Sequence, residues 1–524
     1  MSPSSSTARV NLRFSRWLPS ADSIAIPAAL ALLVVLTRAP FMTHYLYNWD
    51  SANFALGMRS FDVSLHQPHP PGYPYYVWSG GALHLLFSNA NTSLVLVSIV
   101  LQTAAVVGMY YFAARLFSVT AGTAAALLLA FSVTFWTYGE LALAYSALAT
   151  FSILTGYFAY QTSLLGKDRL LACAACYTIG TGFRPDLALF LAPLLLLACW
   201  RQPARRIALG LAIAGGGILL WLVPTALLSG GFQTYWDTIS AYFGTDVLER
   251  YAPTTKGLDA ILVNVRDTSQ YLFYALYAEA ALVVSGIALL LWQACLSGRR
   301  LRRRTGASGI AWESRQAWRG RVGWAAQPGF FVVWVAPMAF FYLLVHIGDP
   351  GYVFGFLPAL LLASVGGWHS VLVDIWKQRQ MLAAAGLTLV LLVNVFLFLS
   401  YQKPLMLWGL QAKDVRVASY LNYLQSYDPG SILVVSYDSY KQLRYYLPGY
   451  ANSVWLDTTT PKRQVFPAPD GVQWAILIDP SVFALAQSLP AEAEFLPGEN
   501  WAALLPVHYG QSLVYESGRL RIEP

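Results

Sequence analysis

The chain has 524 residues, of which 56% are hydrophobic, 15% aromatic and only 11% charged, and its mean hydropathy is +0.49. Because an ordinary soluble domain carries about 25% charged residues, this composition excludes a soluble protein and predicts an integral membrane protein. The formal net charge of +8 does not indicate a nucleic-acid partner, since eight arginines and a single glutamate lie together at 297–324, between two apolar runs. Such a segment is typical of a cytoplasmic loop.

The first apolar run, residues 23–42, follows Arg9, Arg13 and Arg16. It is about 20 residues long, which lets a helix cross the ~30 Å hydrocarbon core. It has neither the short apolar core nor the small-residue exit site of a signal peptide. We therefore predict a retained first helix, preceded by a cytoplasmic N-terminus at 1–22.

Ten further membrane spans are predicted along the chain. Their approximate bounds are 91–115, 119–137, 142–164, 169–182, 186–200, 206–228, 271–296, 329–347, 352–370 and 382–400. About eleven spans put the two chain ends on opposite sides, and the basic residues between spans then fall on the cytoplasmic side. The C-x-x-C pair Cys173 and Cys176 lies inside a span with no histidine nearby, which favours packing thiols over a metal or redox site.

Three stretches are predicted on the outer side of the membrane, at 43–90, 229–270 and 401–524. The last is polar enough to fold in water. Its segments SILVVSY and WAILIDP are typical of buried strands, and KDVRVASYLNYLQSY and SYKQLRYYL are typical of amphipathic helices. The predicted fold class is a mainly α polytopic membrane protein, with a membrane domain at 23–400 and a small extracytoplasmic α/β domain at 401–524.

The densest polar stretch, YNWDSANFALGMRSFDVSLHQPHPPGYPYY at 47–76, directly follows the first span. Asp50 is predicted at the outer surface, and SANFALG is predicted to form a short amphipathic helix along the interface. The prolines predict a stiff, extended path that holds His66, His69 and Tyr73 over a membrane-embedded cavity. The alternative is an ordered connecting loop whose histidines only cap helix ends.

Glu140, in FWTYGELALAYS, is the first acidic residue after Asp62 and is predicted at the outer end of a helix hairpin. A carboxylate near hydrocarbon costs a few kcal/mol, so it is usually paired or used. The functional interpretation makes Glu140 part of a reaction centre. The alternative is a carboxylate at headgroup level that bonds to a tyrosine such as Tyr138.

Two further outer turns carry polar side chains. Arg184 and Asp186 lie in GTGFRPDLA, where a guanidinium on a Gly-Pro turn suits bidentate phosphate binding. The alternative is an internal pair of Arg184 with Asp186 or with Glu140. The turn HIGDPGYVFGFLPAL adds His346, Asp349 and Tyr352.

If these outer turns converge, the set fits transfer of a sugar from a lipid-phosphate carrier. Asp50 is the candidate base that takes the proton of the acceptor hydroxyl, and direct displacement would invert the anomeric carbon. Arg184, helped by a histidine, would stabilise the leaving lipid phosphate. The predicted substrate-binding residues are His66, His69, Tyr73, Arg184, Asp186 and Tyr352. No Walker, H-E-x-x-H or EF-hand pattern is present in the sequence.

These motifs resemble the GT-C superfamily of membrane glycosyltransferases, near the family 39-like bacterial enzymes related to protein O-mannosyltransferases and lipid A aminoarabinose transferases. The segments that carry the resemblance are YNWDSANFALGMRSFD, HQPHPPGYPYY, WTYGELALAYS and TGFRPDLALFLAP. The resemblance covers residues 45–200 well and continues as topology alone to about residue 400. It implies a multi-pass protein of the bacterial inner membrane.

The resemblance implies catalytic acids at Asp50 and Glu140, a polyprenyl-phosphate-linked sugar donor, and a glycan, lipid or protein acceptor. Many relatives have a second acid directly after the first, where this chain has Ser51. They also often have a Lys-Pro-Pro segment, where this chain has His69-Pro70-Pro71. Some branches use a divalent metal, and the replaced second acid weakens that case here. No cofactor is therefore predicted, with a divalent metal as the alternative.

Three other functions compete with this interpretation. A polyprenyl-lipid transporter or flippase would have charged residues near helix midpoints and inverted repeats, whereas the acids here gather at helix ends on one side. A glycan polymerase or ligase would share much of the architecture. A non-catalytic relative that only binds polyprenyl lipid would tolerate the loss of Asp50.

Overall fold

The computed structural model describes residues 24–249, 252–305, 328–374, 380–459, 462–486, 494–495 and 502–524. The predicted cytoplasmic N-terminus and most of the basic segment at 297–324 lie outside these ranges. Within them the chain is mainly helical, and its strands all follow residue 431. This confirms the mainly α part of the predicted fold class and the strands expected near the C-terminus.

The α-helices of the described residues are numbered here in chain order. They are α1 Ala25–Arg38, α2 Trp49–Arg59, α3 Pro74–Phe87, α4 Ala90–Leu116, α5 Val119–Phe131, α6 Val133–Tyr138, α7 Ser146–Ser163, α8 Leu170–Phe183, α9 Leu187–Phe190, α10 Ala192–Cys199, α11 Ala204–Leu228, α12 Phe232–Ala241, α13 Pro253–Lys256, α14 Leu258–Leu276, α15 Ala280–Thr305, α16 Pro328–Leu344, α17 Leu357–Asp374, α18 Gln380–Ser400, α19 Leu407–Leu424, α20 Tyr440–Tyr446 and α21 Pro480–Ala486. Short 3₁₀ turns lie at Ala39–Phe41, Val63–Leu65, Tyr277–Glu279 and Pro350–Gly355, and a π-helix lies at Tyr242–Glu249.

Within the described residues, four helical stretches are long and apolar enough to cross a membrane by length and composition. They are Ala90–Leu116, Ala204–Leu228, Leu258–Gln293 and Met381–Ser400. Six shorter apolar helices accompany them, at Ala25–Phe41, Val119–Phe131, Leu170–Phe183, Leu187–Cys199, Gly329–Leu344 and Leu357–Leu372. The spans predicted at 91–115 and 206–228 agree closely with α4 and α11, while the total of about eleven stays a prediction.

The predicted outer loop at 229–270 is largely helical, and this is a correction. Helix α14 begins at Leu258, ahead of the span predicted to start at residue 271, and the chain turns at Tyr277 with a φ of 41° before α15. Asp259, Arg266 and Asp267 lower the hydropathy of the first half of α14. An apolar-run criterion therefore places the start of this helix too late.

Helix α4 forms the centre of the helical part, where it packs against α1, α3, α5 and α7. Its start is fixed by Asn89, whose side-chain oxygen accepts a hydrogen bond from the backbone N–H of Thr92. From there a nearly uninterrupted apolar sequence is buried on several faces, as expected of a helix surrounded by other helices. The loops at one end of this bundle carry the candidate site.

Eight strands form two sheets after residue 431. They are β1 Ile432–Ser436, β2 Ser453–Trp455, β3 Gln464–Pro467, β4 Trp474–Ile478, β5 Glu494–Phe495, β6 Ala502–Pro506, β7 Ser512–Glu516 and β8 Arg519–Glu523. The larger sheet has the order β2-β1-β4-β6-β5, with β1 parallel to β2 and β4, and the smaller sheet has the antiparallel order β3-β7-β8. The strands predicted from SILVVSY and WAILIDP are β1 and β4, and the two predicted helices are α19 and α20.

We call residues 407–524 the α/β module. Its helix α20 packs directly on α2. Several hydrogen bonds join the module to the segment between α1 and α3. The Nη1 of Arg59 donates to the carbonyl of Tyr445 (3.0 Å), and the N–H of Leu46 donates to the hydroxyl oxygen of Tyr446 (2.9 Å). The module therefore covers the polar stretch that follows the first helix.

Candidate functional site

Asp50 lies in the first turn of α2, and a capping box fixes that turn. The side chain of Asn48 accepts a hydrogen bond from the N–H of Ser51 (3.1 Å), and the hydroxyl of Ser51 accepts one from the N–H of Asn48 (2.8 Å). Ser51, at the place of the relatives' second acid, thus has a structural role. The Asp50 side chain is 34% exposed, and a carboxylate at a helix N-terminus is favourably placed in the field of the helix dipole.

The helix predicted from SANFALG is present, but it does not lie exposed along an interface. Residues 51–57 are all buried, because α3 and α20 pack against α2. Gly57 allows the chain that follows α2 to pack closely against this helix. A Cβ atom at this position would lie 2.9 Å from Cδ of Pro68. The backbone of α2 is therefore in direct contact with the proline-rich stretch at 66–74, which we call the proline segment.

The proline segment is compact, not extended as predicted. Asp62 and Gln67 form an antiparallel bridge, and the N–H of Gly72 donates to the carbonyl of His69 (3.0 Å). His66 and Tyr73 have left-handed backbones, with φ values of 57° and 48°. These turns fold the segment back over α2 and bring His69 to Asp50.

Asp50 and His69 form the first half of the site. The Nδ1 of His69 lies 3.6 Å from Oδ1 of Asp50, just beyond hydrogen-bond length. The imidazole is buried between the rings of Phe54 and Tyr73, with centroid distances of 5.2 and 4.7 Å. Burial lowers the pKa of His69, and the Asp50 carboxylate opposes that shift. The lowered pKa favours the neutral form of the His69 imidazole at pH 7.

Arg184 forms the second half of the site and is 2% exposed. It makes a bidentate ion pair with Asp186, with Nε–Oδ1 and Nη2–Oδ2 distances of 3.2 and 2.7 Å. The rings of Tyr73, Tyr145 and Tyr352 surround the guanidinium, with centroids 5.2, 4.4 and 5.2 Å from its carbon. The internal pair with Asp186, one of the two alternatives from the sequence, is thus present.

Asp349 adds a carboxylate from the turn before Leu357. It accepts hydrogen bonds from the hydroxyl of Tyr138 and from the N–H of Gly351 (2.8 Å). Burial raises its pKa to about 6 against the lowering effect of these two bonds, and Asp50 and Arg184 are among the charges that act on it. Asp349 was named from its turn in the sequence but given no role, and Tyr145 was not named, although it stands in the motif WTYGELALAYS.

The structure separates Glu140 from this cluster. Its carboxylate is fully buried and accepts a hydrogen bond from Nε1 of Trp136 (2.8 Å). Its charge partner is the buried guanidinium of Arg38, which also donates to Oε1 of Gln102 (3.0 Å). No described contact joins Glu140 to Asp50, and Tyr138 bonds to Asp349 instead. The structure thus shows a structural pair for Glu140, and its catalytic role stays a prediction.

His66 lies at the edge of the site. Its ring contacts that of Tyr242 in the π-helix, with centroids 6.1 Å apart, and it is one of the titratable neighbours of His69. Tyr235 of α12 donates its hydroxyl to the carbonyl of Pro71 (2.9 Å). The region at 232–249 therefore covers the proline segment from a second side. Among the described residues, no group of three or more His, Cys, Asp or Glu side chains is arranged to hold a metal ion.

Comparison with known proteins bears on the arrangement of these helices and loops. Residues 68–228 match the family model described as dolichyl-phosphate-mannose-protein mannosyltransferase. The crystal structure of ArnT from Cupriavidus metallidurans bound to undecaprenyl phosphate matches with a TM-score of 0.56 at 13% identity, over 92% of this chain and 97% of that one. This chain has a GT-C fold. The apo structure of the same ArnT gives a TM-score of 0.55 at 14% identity, over the same shares of both chains.

The GT-C fold confirms the resemblance predicted from the motifs, and together with the apolar helices it makes this a multi-pass membrane protein. The archaeal oligosaccharyltransferase AglB from Archaeoglobus fulgidus, in complex with an inhibitory peptide and a dolichol-phosphate, gives a TM-score of 0.46 at 12% identity, over 87% of this chain and 69% of that one. No protein of curated function matches the sequence.

Proposed function

We propose that this chain is a membrane glycosyltransferase that moves a sugar from a polyprenyl-phosphate donor to an extracytoplasmic acceptor, with inversion at the anomeric carbon. The acceptor class is a cell-envelope glycan, a lipid or a protein. The observation that carries the proposal is the partly exposed carboxylate of Asp50, beside a neutral His69 and near the buried Arg184, in a chain with a GT-C fold.

In the proposed reaction Asp50 takes the proton of the acceptor hydroxyl. The hydroxyl oxygen then bonds to the anomeric carbon while the bond from that carbon to the phosphate oxygen breaks. The electron pair of the broken bond leaves with the lipid phosphate, whose growing negative charge needs hydrogen-bond donors. Arg184 and the hydroxyls of Tyr145 and Tyr352 are the candidate donors. A neutral His69 suits a base, since it does not neutralise Asp50.

The test is a strain that lacks this gene, complemented with the wild type or with Asp50→Asn. The amide keeps the size of the side chain but cannot accept the acceptor proton, so we expect transfer to fall by about 10²- to 10⁴-fold. Mass spectrometry of envelope glycans, lipids and glycoproteins should show the same missing hexose or pentose in the deletion strain and in the Asp50→Asn strain.

Asp62→Asn is the matched control. Asp62 lies in the same segment, where its side chain caps the 3₁₀ turn. One carboxylate oxygen accepts from the N–H (2.9 Å) and from the hydroxyl (2.6 Å) of Ser64, and an amide oxygen can do the same. This variant should restore the wild-type glycan profile. Full complementation by Asp50→Asn at equal protein levels would refute the base, and an unchanged glycan profile in the deletion strain would refute the proposed activity.

A further inference from the structure

Lys441 of the α/β module lies against the start of α2. Its Nζ is 5.6 Å from the ring centroid of Trp49, the residue directly before Asp50. Tyr440 and Trp455, also from the module, contact the same indole, with centroid distances of 5.9 and 5.7 Å. The charge of Lys441 acts on His69, as do those of Asp50 and Arg184. A residue far along the chain is thus part of the electrostatic surroundings of the site.

Lys441 is a largely buried lysine without a counter-charge among the described residues. Lys441 is 9% exposed, and none of the described carboxylates forms an ion pair with it. Burial and the neighbouring Arg444 lower its pKa to about 8. A partly desolvated cation is costly unless it is paired, so this position favours an anion that is not part of the protein.

The other cation of the site is already neutralised. Arg184 uses two of its nitrogens in the pair with Asp186, and Asp50 and Asp349 add further negative charge. A phosphate that approached only Arg184 would meet a net acidic cluster. The positive charge of Lys441, which the α/β module contributes, offsets this excess of negative charge.

We propose that Lys441 binds the phosphate of the lipid donor, so that the α/β module completes the donor site. This inference rests on the proposed function. In the bound state the ammonium would donate to a phosphate oxygen near Asp50, with the indole of Trp49 holding the lysine stem. The module would then be a working part of the site and not only a cover over it.

The test measures binding of undecaprenyl phosphate and of undecaprenol to the full-length protein in detergent. Lys441→Met keeps the length of the side chain and removes the charge, and we expect its affinity for undecaprenyl phosphate to fall about 10- to 100-fold, since hydrogen bonds to charged groups contribute about 1.5–3 kcal/mol. Affinity for undecaprenol, which lacks the phosphate, should not change. Lys441→Arg should bind undecaprenyl phosphate nearly as well as the wild type.

Lys403→Met is the matched control, because the Nζ of Lys403 also lies over an aromatic ring, 5.7 Å from the centroid of Tyr401, at an exposed position. It should bind like the wild type. Competition by inorganic phosphate at millimolar concentration would show that the headgroup alone is recognised. No competition would show that the lipid is needed as well. Either result supports a phosphate site if the loss of undecaprenyl phosphate affinity depends on Lys441.

Two results would overturn the inference in different ways. Equal binding of undecaprenyl phosphate by Lys441→Met and the wild type would refute the role of Lys441 and leave the proposed reaction standing. A wild-type protein that binds undecaprenol as tightly as undecaprenyl phosphate would refute the proposed donor class, and this inference with it. The thermal unfolding midpoint of each variant checks that the fold is kept.

Discussion

At Arg184, three tyrosine rings and one carboxylate surround a guanidinium that is almost entirely buried. Planar stacking and a bidentate pair are contacts that a lysine ammonium cannot reproduce. The residue therefore organises the tyrosines of the site whether or not it also meets a phosphate. Because Asp186 pairs with this buried guanidinium, the replacement of Asp186 should lower the stability of the protein.

Asp186→Asn should destabilise the protein by about 1.5–3 kcal/mol, because it removes a charge-assisted bidentate pair from the buried guanidinium of Arg184. The measurement is the thermal unfolding midpoint in detergent. Asp267→Asn is the control, since its partner Arg266 is 69% exposed and an exposed pair contributes about 0–1 kcal/mol. Equal shifts in the two variants would contradict the argument that burial makes the Arg184 pair strong.

At the scale of elements, local patterns predicted those helices and strands whose own sequence carries a regular apolar pattern. The apolar run of α4 and the buried β1 and β4 have sequences that indicate their own structure. The start of α14 was missed because its charged residues interrupt the apolar run. The proline segment was predicted as extended, since proline fixes single dihedrals, whereas its path depends on how closely it can approach Gly57.

Gly57→Ala should displace the proline segment. The added Cβ would lie 2.9 Å from Cδ and N of Pro68, one residue before His69, so the imidazole would move relative to Asp50. We expect transfer to fall by about 10²-fold, the loss typical of a 1 Å displacement at a reaction centre. The readout is the envelope glycan profile of the complemented strain, together with the unfolding midpoint of the purified variant.

Gly81→Ala in α3 is the matched control, because a Cβ there would meet no atom within 4 Å. It should keep full transfer and gain up to about 1 kcal/mol from helix propensity. If Gly57→Ala also keeps full transfer, the position of His69 does not depend on the contact between α2 and Pro68, and the geometric argument fails.

For the whole molecule, the sequence predicted that loops on one side of the membrane converge, and most of the chosen residues do lie together. The position of Lys441 at the site and the pairing of Glu140 with Arg38 were missed for the same physical reason. Both depend on partners distant in sequence, Trp49 for Lys441 and Arg38 for Glu140. Arg38 lies at the end of the first helix and Lys441 lies in an amphipathic helix. At neither position does the local sequence show whether the cation is buried or exposed to solvent.

The last prediction concerns the attachment of the α/β module. Asp414 in α19 accepts hydrogen bonds from the backbone N–H groups of His44 (2.7 Å) and Tyr45 (3.1 Å), so one carboxylate holds the module to the segment after α1. Hydrogen bonds to a charged group contribute about 1.5–3 kcal/mol each. Asp414→Ala should therefore loosen the module locally without unfolding the helical bundle.

Hydrogen exchange should show this as faster exchange in peptides from α19 and α20 of Asp414→Ala, with α4 unchanged. Asp470→Ala, an exposed carboxylate in the turn between β3 and β4, should exchange like the wild type. Because α20 carries Lys441, the loosened variant should also bind undecaprenyl phosphate more weakly while it keeps its affinity for undecaprenol. Faster exchange with undiminished phosphate binding would mean that Lys441 does not need the docked module, and the donor site would then be complete within the membrane helices and their loops.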